Sequence, residues 1–176
     1  MKIFLPKEDE MKALVTYYSE TGNTEKLAQA IYEGAGQVGK EIVPIDKAGD
    51  LGMYDLIFCG FPVHAHGVPP KVESFLKTIP KGKELALFGT HGSLKGGQLA
   101  ITAFYQALSV AVRERVIGTF ACRGQVKYGL LEQLAKKPEH KAWVAEAQSA
   151  TGHPEEADLE DGREWARVMV TRALAS

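Results

Sequence analysis

The architecture of this chain follows from one stretch, Ala13-Leu14-Val15-Thr16-Tyr17-Tyr18-Ser19-Glu20-Thr21-Gly22-Asn23-Thr24. Its first three residues form a short apolar run, which is typical of a parallel strand buried on both faces. Beyond it, apolar residues recur at helical spacing and predict a helix over residues 23–36 that lies on a sheet. These are Leu27, Ala28, Ile31 and Ala35. The hydroxyl-rich residues 19–24 therefore form a turn between a buried strand and the N-terminus of a helix.

This turn has the chemistry of a phosphate site. The first N–H groups of a helix have no intrahelical partner, and the peptide dipoles favour negative charge there. Ser19, Thr21 and Thr24 can each donate an O–H group, and Gly22 permits a positive φ or a close approach of the backbone. Any one of these hydroxyls alone would favour a simple helix cap. Their combination favours a ligand turn, and neither a Walker A loop nor a Gly-x-Gly-x-x-Gly fingerprint is present.

The rest of the chain alternates between strand and helix patterns. We predict strands over 12–18, 41–45, 56–61, 85–89 and 116–121, with helices over 23–36, 70–78 and 97–112 between them. Right-handed crossovers then give a three-layer α/β fold, a doubly wound five-stranded parallel sheet in the order 2-1-3-4-5. Ligands bind such sheets at the carboxyl ends of the strands beside the switch in strand order. We therefore expect the loops 19–24, 61–67 and 89–93 to converge.

The stretch Ser19-Glu20-Thr21-Gly22-Asn23-Thr24 resembles the Ser/Thr-x-Thr-Gly-x-Thr loop of the flavodoxin family, which binds the phosphate of FMN. As a pattern of strands and helices, the resemblance extends over residues 12–124, with a further helix beyond. It implies FMN as the cofactor and a cofactor site drawn from three loops. The implied cofactor-binding residues are Ser19, Glu20, Thr21, Gly22, Asn23, Thr24, Phe61, Pro62, Val63, His64, Gly67, Thr90, His91, Gly92 and Ser93.

The resemblance also assigns roles to the second and third loops. It implies that peptides between Phe61 and His64 contact N5 of the isoalloxazine, and that amides of loop 89–93 face the pyrimidine edge, where charge develops on reduction. This sequence departs from the usual pattern because neither loop offers the tryptophan and tyrosine that commonly sandwich the ring. We therefore expect Phe61 and the histidines to form the walls of the flavin site.

Other kinds of site compete with a flavin site at these residues. His64, His66 and His91 can be read as metal ligands, but no third ligand has a zinc-like spacing and no carboxylate lies in these loops, so flavin is favoured over metal. A cobalamin-binding domain would need an aspartate where Pro62 stands, and a receiver domain would need one at the end of the third strand. Cys122 beside Arg123 can be a redox-active thiol, although a packing role is favoured.

Length and composition set the broad class. The 176 residues, with 45% hydrophobic and 24% charged residues, predict a single domain over 12–176 after an N-terminal extension of residues 1–11. Residues 125–153 form an insert before the last helix. A net charge of −1 indicates neither nucleic-acid nor membrane binding, and two cysteines are too few for a disulfide framework. A cytoplasmic location is expected.

The leading functional hypothesis is an FMN-binding electron-transfer flavoprotein that exchanges electrons with a redox partner protein or a small donor or acceptor. No catalytic acid or base is required, because the isoalloxazine carries the redox chemistry. The alternatives are an FMN-dependent NAD(P)H oxidoreductase acting on a quinone or other small acceptor, and a flavin-free binding module. Near-neutral charge weakens the carrier hypothesis, since the carriers of this family are typically acidic. The lack of a nicotinamide motif weakens the reductase hypothesis, and the turn hydroxyls argue against loss of flavin. The oligomeric state is left open.

Overall fold

The computed structural model describes residues 10–64, 67–94, 97–111 and 114–176, without the side chain of Leu99. One parallel sheet runs through the molecule in the order β2-β1-β3-β4-β5, with helices on both faces. The strands are β1 (Lys12–Tyr17), β2 (Gly39–Pro44), β3 (Leu56–Pro62), β4 (Glu84–His91) and β5 (Arg115–Arg123). The predicted doubly wound fold and strand order are confirmed.

The helices follow the predicted pattern closely. They are α1 (Asn23–Gly34), α2 (Pro70–Leu76), α3 (Gln98–Val110), α4 (Tyr128–Ala135), α5 (Lys141–Gln148) and α6 (Glu156–Leu174). The first helix ends two residues before its predicted end, because the chain leaves the helical conformation at Gly36, which has a φ of 75°. The predicted end of α3 at position 112 lies outside the described residues.

Two apolar cores lie on opposite faces of the sheet. One is formed with α1 and α6, where Leu27, Ala28 and Ile31 are fully buried as predicted. The other is formed with α2 and α3. Val168 of α6 does not pack inward, and its side chain is 40% exposed. The buried stripe of α6 instead runs through smaller residues and Met169. Met11, which was assigned to the extension, is buried in the first core.

The helices α1 and α6 approach each other closely because both carry glycine where they meet. A Cβ atom on Gly34 would lie 2.3 Å from the backbone oxygen of Arg163, and one on Gly162 would lie 2.8 Å from Cδ1 of Leu27. Beside this contact the Arg163 guanidinium donates to Glu33 of α1 at 3.0 Å. The absence of side chains at the two glycines therefore sets the distance between the helices.

The insert folds into α4 and α5, which pack on each other through a small apolar cluster of their own. The cluster has Leu131, Val144 and Ala147 at its centre, with Val126, Leu134 and Trp143 beside them. None of the helices in the described ranges is long and apolar enough to cross a membrane.

Candidate functional site

The turn 19–24 begins at the carboxyl end of β1 and leads directly into α1. Gly22 occupies the N-cap position with a φ of 89°, and no side chain caps the helix. The Gly22 N–H donates to the Ser19 hydroxyl oxygen at 3.1 Å, which leaves the Ser19 O–H group available to donate. Because α1 is uncapped, the N–H groups of its first turn are left for an external acceptor.

The three hydroxyls of the turn do not share one environment. Thr21 is exposed, whereas Thr24 is only 1% exposed, and its hydroxyl lies 2.9 Å from that of Thr90. This hydrogen bond joins the first predicted loop to the third. Of the three predicted hydroxyl donors, Ser19 and Thr21 therefore face the surface, whereas Thr24 is enclosed beneath the turn.

Asn23 connects the turn to a distant part of the chain. Its amide Nδ2 donates to the backbone oxygen of Gln125 at 2.8 Å, although 102 residues separate the two. A Cβ atom on Gly124 would lie 3.0 Å from the same Nδ2, so a glycine there permits the approach. Asn23 thus ties the first residue of α1 to the start of the insert.

The second loop is stabilised by backbone hydrogen bonds. Val63 N–H donates to the Thr90 carbonyl at 2.9 Å, while His64 and Gly67 exchange bonds of 3.1 and 2.7 Å. The Gln106 side chain of α3 accepts from Val68 N–H at 3.0 Å. The amides of Val63 and His64 are therefore already engaged within the protein. His66 lies outside the described residues.

The expectation that the Phe61 ring forms a wall of the site is wrong. Its side chain is fully buried and packs against Phe104 at 5.3 Å between ring centroids, within the core formed by α2 and α3. An aromatic residue that the sequence analysis did not assign lies nearer the expected site. Tyr18, the last residue before the turn, is half-buried and meets the His64 ring edge to face at 6.4 Å.

Tyr18, Glu20 and His64 form a polar cluster between the first and second loops. The Tyr18 hydroxyl donates to Glu20 Oε1 at 2.7 Å, and this bond raises the pKa of Tyr18 and lowers that of Glu20. His64 Nε2 lies 3.8 Å from Glu20 Oε2, with both side chains about two-fifths exposed. Positive charge on Lys127 also favours the ionised Glu20, which places that lysine near the cluster.

The third loop is buried beneath the insert. Thr90, His91 and Ser93 are each 5% exposed or less. A Cβ atom on Gly92 would lie 2.4 Å from Val126 of the insert, so only glycine fits there. Burial lowers the pKa of His91, and its Nδ1 has no hydrogen-bond partner among the described residues. The insert therefore covers this loop directly.

Arg123, at the end of β5, holds the third loop against α5. Its guanidinium donates to the Ser93 carbonyl at 3.1 Å, the Gly92 carbonyl at 3.5 Å and the Glu146 carbonyl at 3.0 Å. It also reaches the carbonyl and hydroxyl of Ser149. Because C=O and N–H point in opposite directions across a trans peptide, the Gly92 bond turns the Ser93 N–H away from Arg123. The sequence analysis considered Arg123 only as a neighbour of Cys122.

The two cysteines are packing residues. Cys122 is 5% exposed within the core formed with α1 and α6, whereas the Arg123 side chain extends to the third loop and the insert. Cys59 is fully buried in the opposite core, and burial raises the pKa of its thiol to about 12. The favoured packing role of Cys122 is confirmed, and the same burial disfavours a reactive thiol at Cys59.

The metal alternative at His64, His66 and His91 stays untested, because His66 lies outside the described residues. Within the described residues, the group that brings three possible metal ligands together is His153, Glu155 and Asp158, which includes neither His64 nor His91. There His153 Nδ1 lies 2.6 Å from Asp158 Oδ2, and the Glu155 N–H donates to the same oxygen as part of the α6 capping box. The carboxylates of this group therefore cap the N-terminus of α6.

An open cavity of about 340 Å³ lies beside the turn, between the carboxyl ends of β1 and β2. Its lining includes Tyr18, Ser19, Lys47 and Lys71. The predicted convergence of loops lies on the other side of β1, toward β3 and β4. The cavity therefore flanks the turn rather than occupying the switch point.

Fold and site together define a doubly wound α/β protein in which an uncapped helix start and two further loops meet beside the switch in strand order. A family model for the flavodoxin domain matches residues 14–167. The flavodoxin-like domain-containing protein BilS of Clostridioides difficile (strain CD3) is 29% identical over 175 residues, which cover 93% of this chain and 98% of that protein. Because the family model spans most of the chain, the protein belongs to the flavodoxin domain family.

Solved structures agree in fold. A flavodoxin from the domain Archaea superposes with a TM-score of 0.63 at 17% identity, covering 93% of this chain and 99% of that one. A flavoprotein from Lactobacillus acidophilus NCFM, solved in complex with FMN, gives a TM-score of 0.53 at 21% identity and covers 63% of this chain and 93% of its own. Both chains are similar to this one in architecture.

Proposed function

We propose that this protein binds FMN non-covalently and transfers electrons through it. The observation that carries the proposal is the turn 19–24, where the hydroxyl residues Ser19 and Thr21 lead into an uncapped helix N-terminus at a left-handed Gly22. A dianionic phosphate monoester suits these donors, because backbone and hydroxyl groups solvate it without a lysine or arginine. Membership in the flavodoxin domain family and the FMN complex of a structural relative support the choice of ligand.

The proposed isoalloxazine site lies between the second and third loops. On the third loop, Arg123 holds the carbonyls of Gly92 and Ser93, which directs the Ser93 N–H away from the guanidinium, and we assign this N–H to the ring edge. Beside the second loop, Tyr18 and His64 would provide the half-exposed rings that the buried Phe61 does not. Bound FMN would supply the redox chemistry, and these residues would position it.

The phosphate assignment is tested by FMN affinity. We expect Thr21→Ala to weaken FMN binding about 10- to 150-fold, because a hydrogen bond to a charged group contributes about 1.5–3 kcal/mol. Riboflavin, which lacks the phosphate, should bind both proteins alike. Quenching of flavin fluorescence on titration into FMN-free protein gives both constants. Thr171→Ala, an exposed threonine on α6, is the control. Wild-type protein that does not bind FMN, or an unchanged constant in Thr21→Ala, contradicts the assignment.

The electron-transfer assignment is tested by comparing which reductants can reduce the bound flavin. In the FMN-loaded protein we expect dithionite to reduce the flavin fully and NADH or NADPH to bleach it only slowly, because the proposal includes no nicotinamide site. Anaerobic absorbance measurements at the flavin band follow both reactions. Rapid bleaching by a nicotinamide nucleotide would instead identify an FMN-dependent oxidoreductase.

A further inference from the structure

The exposed charge of the insert is opposite in sign to that of the protein as a whole. Residues 125–153 carry four lysines, at positions 127, 136, 137 and 141, and all four are exposed. None of them forms an ion pair in the part of the chain that the structure describes. Of the three glutamates in the same segment, Glu146 is half-buried and accepts from the Leu94 N–H. The exposed charges of the insert therefore sum to a positive value, although the net charge of the protein is −1.

Large apolar side chains lie exposed among these lysines. Tyr128 is 71% exposed and Leu130 is 45% exposed, both on α4. The inner face of α4 is already occupied, since Leu131 packs against Val144 and Ala147 of α5. Tyr128 and Leu130 lie outside this apolar cluster. Of the two, the exposed tyrosine is the residue type that is enriched in protein interfaces.

This part of the insert adjoins the candidate site. Asn23 of the ligand turn donates to Gln125, two residues before Lys127. Lys127 also lies near enough to Glu20 to favour its ionised form. A molecule that covers the outer face of α4 would therefore lie beside the mouth of the proposed flavin site.

We propose that the insert surface, defined as Lys127, Tyr128, Lys136, Lys137 and Lys141, docks an acidic partner protein. Complementary charge steers association and sets the orientation of the complex, while the Tyr128 ring supplies contact area. Two glutamates, Glu132 and Glu139, lie within the same surface. They would repel a uniformly charged phosphate backbone or an anionic membrane, whereas a folded protein can present both signs.

The consequence is a partner held where electrons could pass to or from the bound cofactor. That electron-transfer role rests on the proposed function, but the docking itself does not require flavin. The two ideas can therefore fail separately, and the binding experiment is designed without a redox readout.

The probe is cytochrome b5, an acidic haem protein, titrated into ¹⁵N-labelled protein at low salt and followed by amide chemical shifts. We expect the shifts to concentrate in residues 127–141 and to vanish as salt rises. Charge reversal in the Lys136→Glu, Lys137→Glu double variant should weaken the complex about tenfold or more. Tyr128→Ala should also weaken the complex. Lys81→Glu, at an exposed lysine at the opposite end of the sheet, is the control for charge reversal. Tyr105→Ala, at another exposed tyrosine, is the control for Tyr128→Ala.

Three results would overturn the inference. The first is a titration in which cytochrome b5 binds elsewhere or not at all. The second is equal weakening by Lys81→Glu or Tyr105→Ala. The third is tighter binding of phosphatidylserine vesicles or single-stranded oligonucleotide through the same residues. Docking that persists in protein unable to bind FMN would refute the proposed function and leave this inference standing.

Discussion

The hydrogen bond between Thr24 and Thr90 offers a direct test of how the first and third loops are joined. The hydroxyl oxygens lie 2.9 Å apart, and the two residues are 1% and 3% exposed. Valine has nearly the shape of threonine without the hydroxyl. Thr24→Val and Thr90→Val therefore each remove one partner and leave the other hydroxyl buried without a hydrogen bond.

The expected magnitudes follow from that burial. A buried polar group left without its partner costs about 1–3 kcal/mol, whereas replacing both partners by apolar groups of the same shape is close to neutral. We therefore expect each single variant to lose about 1–3 kcal/mol of unfolding free energy. The double variant should lose less than the sum of the two, with a coupling energy of about 1 kcal/mol or more.

Urea unfolding of FMN-free protein, followed by circular dichroism, measures all four members of the cycle. The slopes with denaturant should agree, so that differences in midpoint report stability alone. Thr171→Val on the exposed face of α6 controls for the substitution itself. Losses in the two single variants that add up in the double variant, to within about 0.5 kcal/mol, would show that the two hydroxyls do not hold the loops together.

Two further predictions concern stability. Gly34→Ala should cost about 1–3 kcal/mol in urea unfolding, because its Cβ would overlap the Arg163 backbone, while Gly49→Ala, in open space, should change little. A Gly34→Ala protein of wild-type stability would contradict the close approach of α1 and α6. Burial lowers the pKa of His91, so the unfolded chain binds a proton that the folded one does not; stability should fall as pH drops below about 6.5. His91→Gln should flatten that dependence between pH 7.5 and 5.5, and an unchanged slope would assign it to other groups.

The fold was predictable because a buried parallel sheet requires a strong pattern of apolar residues in the sequence. Strands covered on both faces appear as short apolar runs, and β3 is an example, with six of its seven residues buried. The bounds were less exact at the carboxyl ends, where the structure extends β4 through Thr90 and His91. Polar residues at a strand end do not signal a strand, although their backbones still pair with a neighbour.

The site was predictable only in part. That Phe61 is buried could have been inferred, since it shares the face of Ile57 and Cys59 by strand alternation. The partner of Asn23 could not, because it lies 102 residues away and depends on how the insert packs. Local sequence indicates which groups are present at the edge of a sheet, whereas tertiary packing decides which of them face the ligand.

The Arg123 clamp has a consequence for the modularity of this protein. The two helices after the fifth strand look at first like an added segment that could be deleted without affecting the rest of the fold. Here the carbonyls of the third loop and the end of α5 share one guanidinium. Excision of residues 125–153 would therefore remove the α5 acceptor that this guanidinium binds and uncover the loop on which the proposed ring site depends. The third loop and the insert thus form one structural unit.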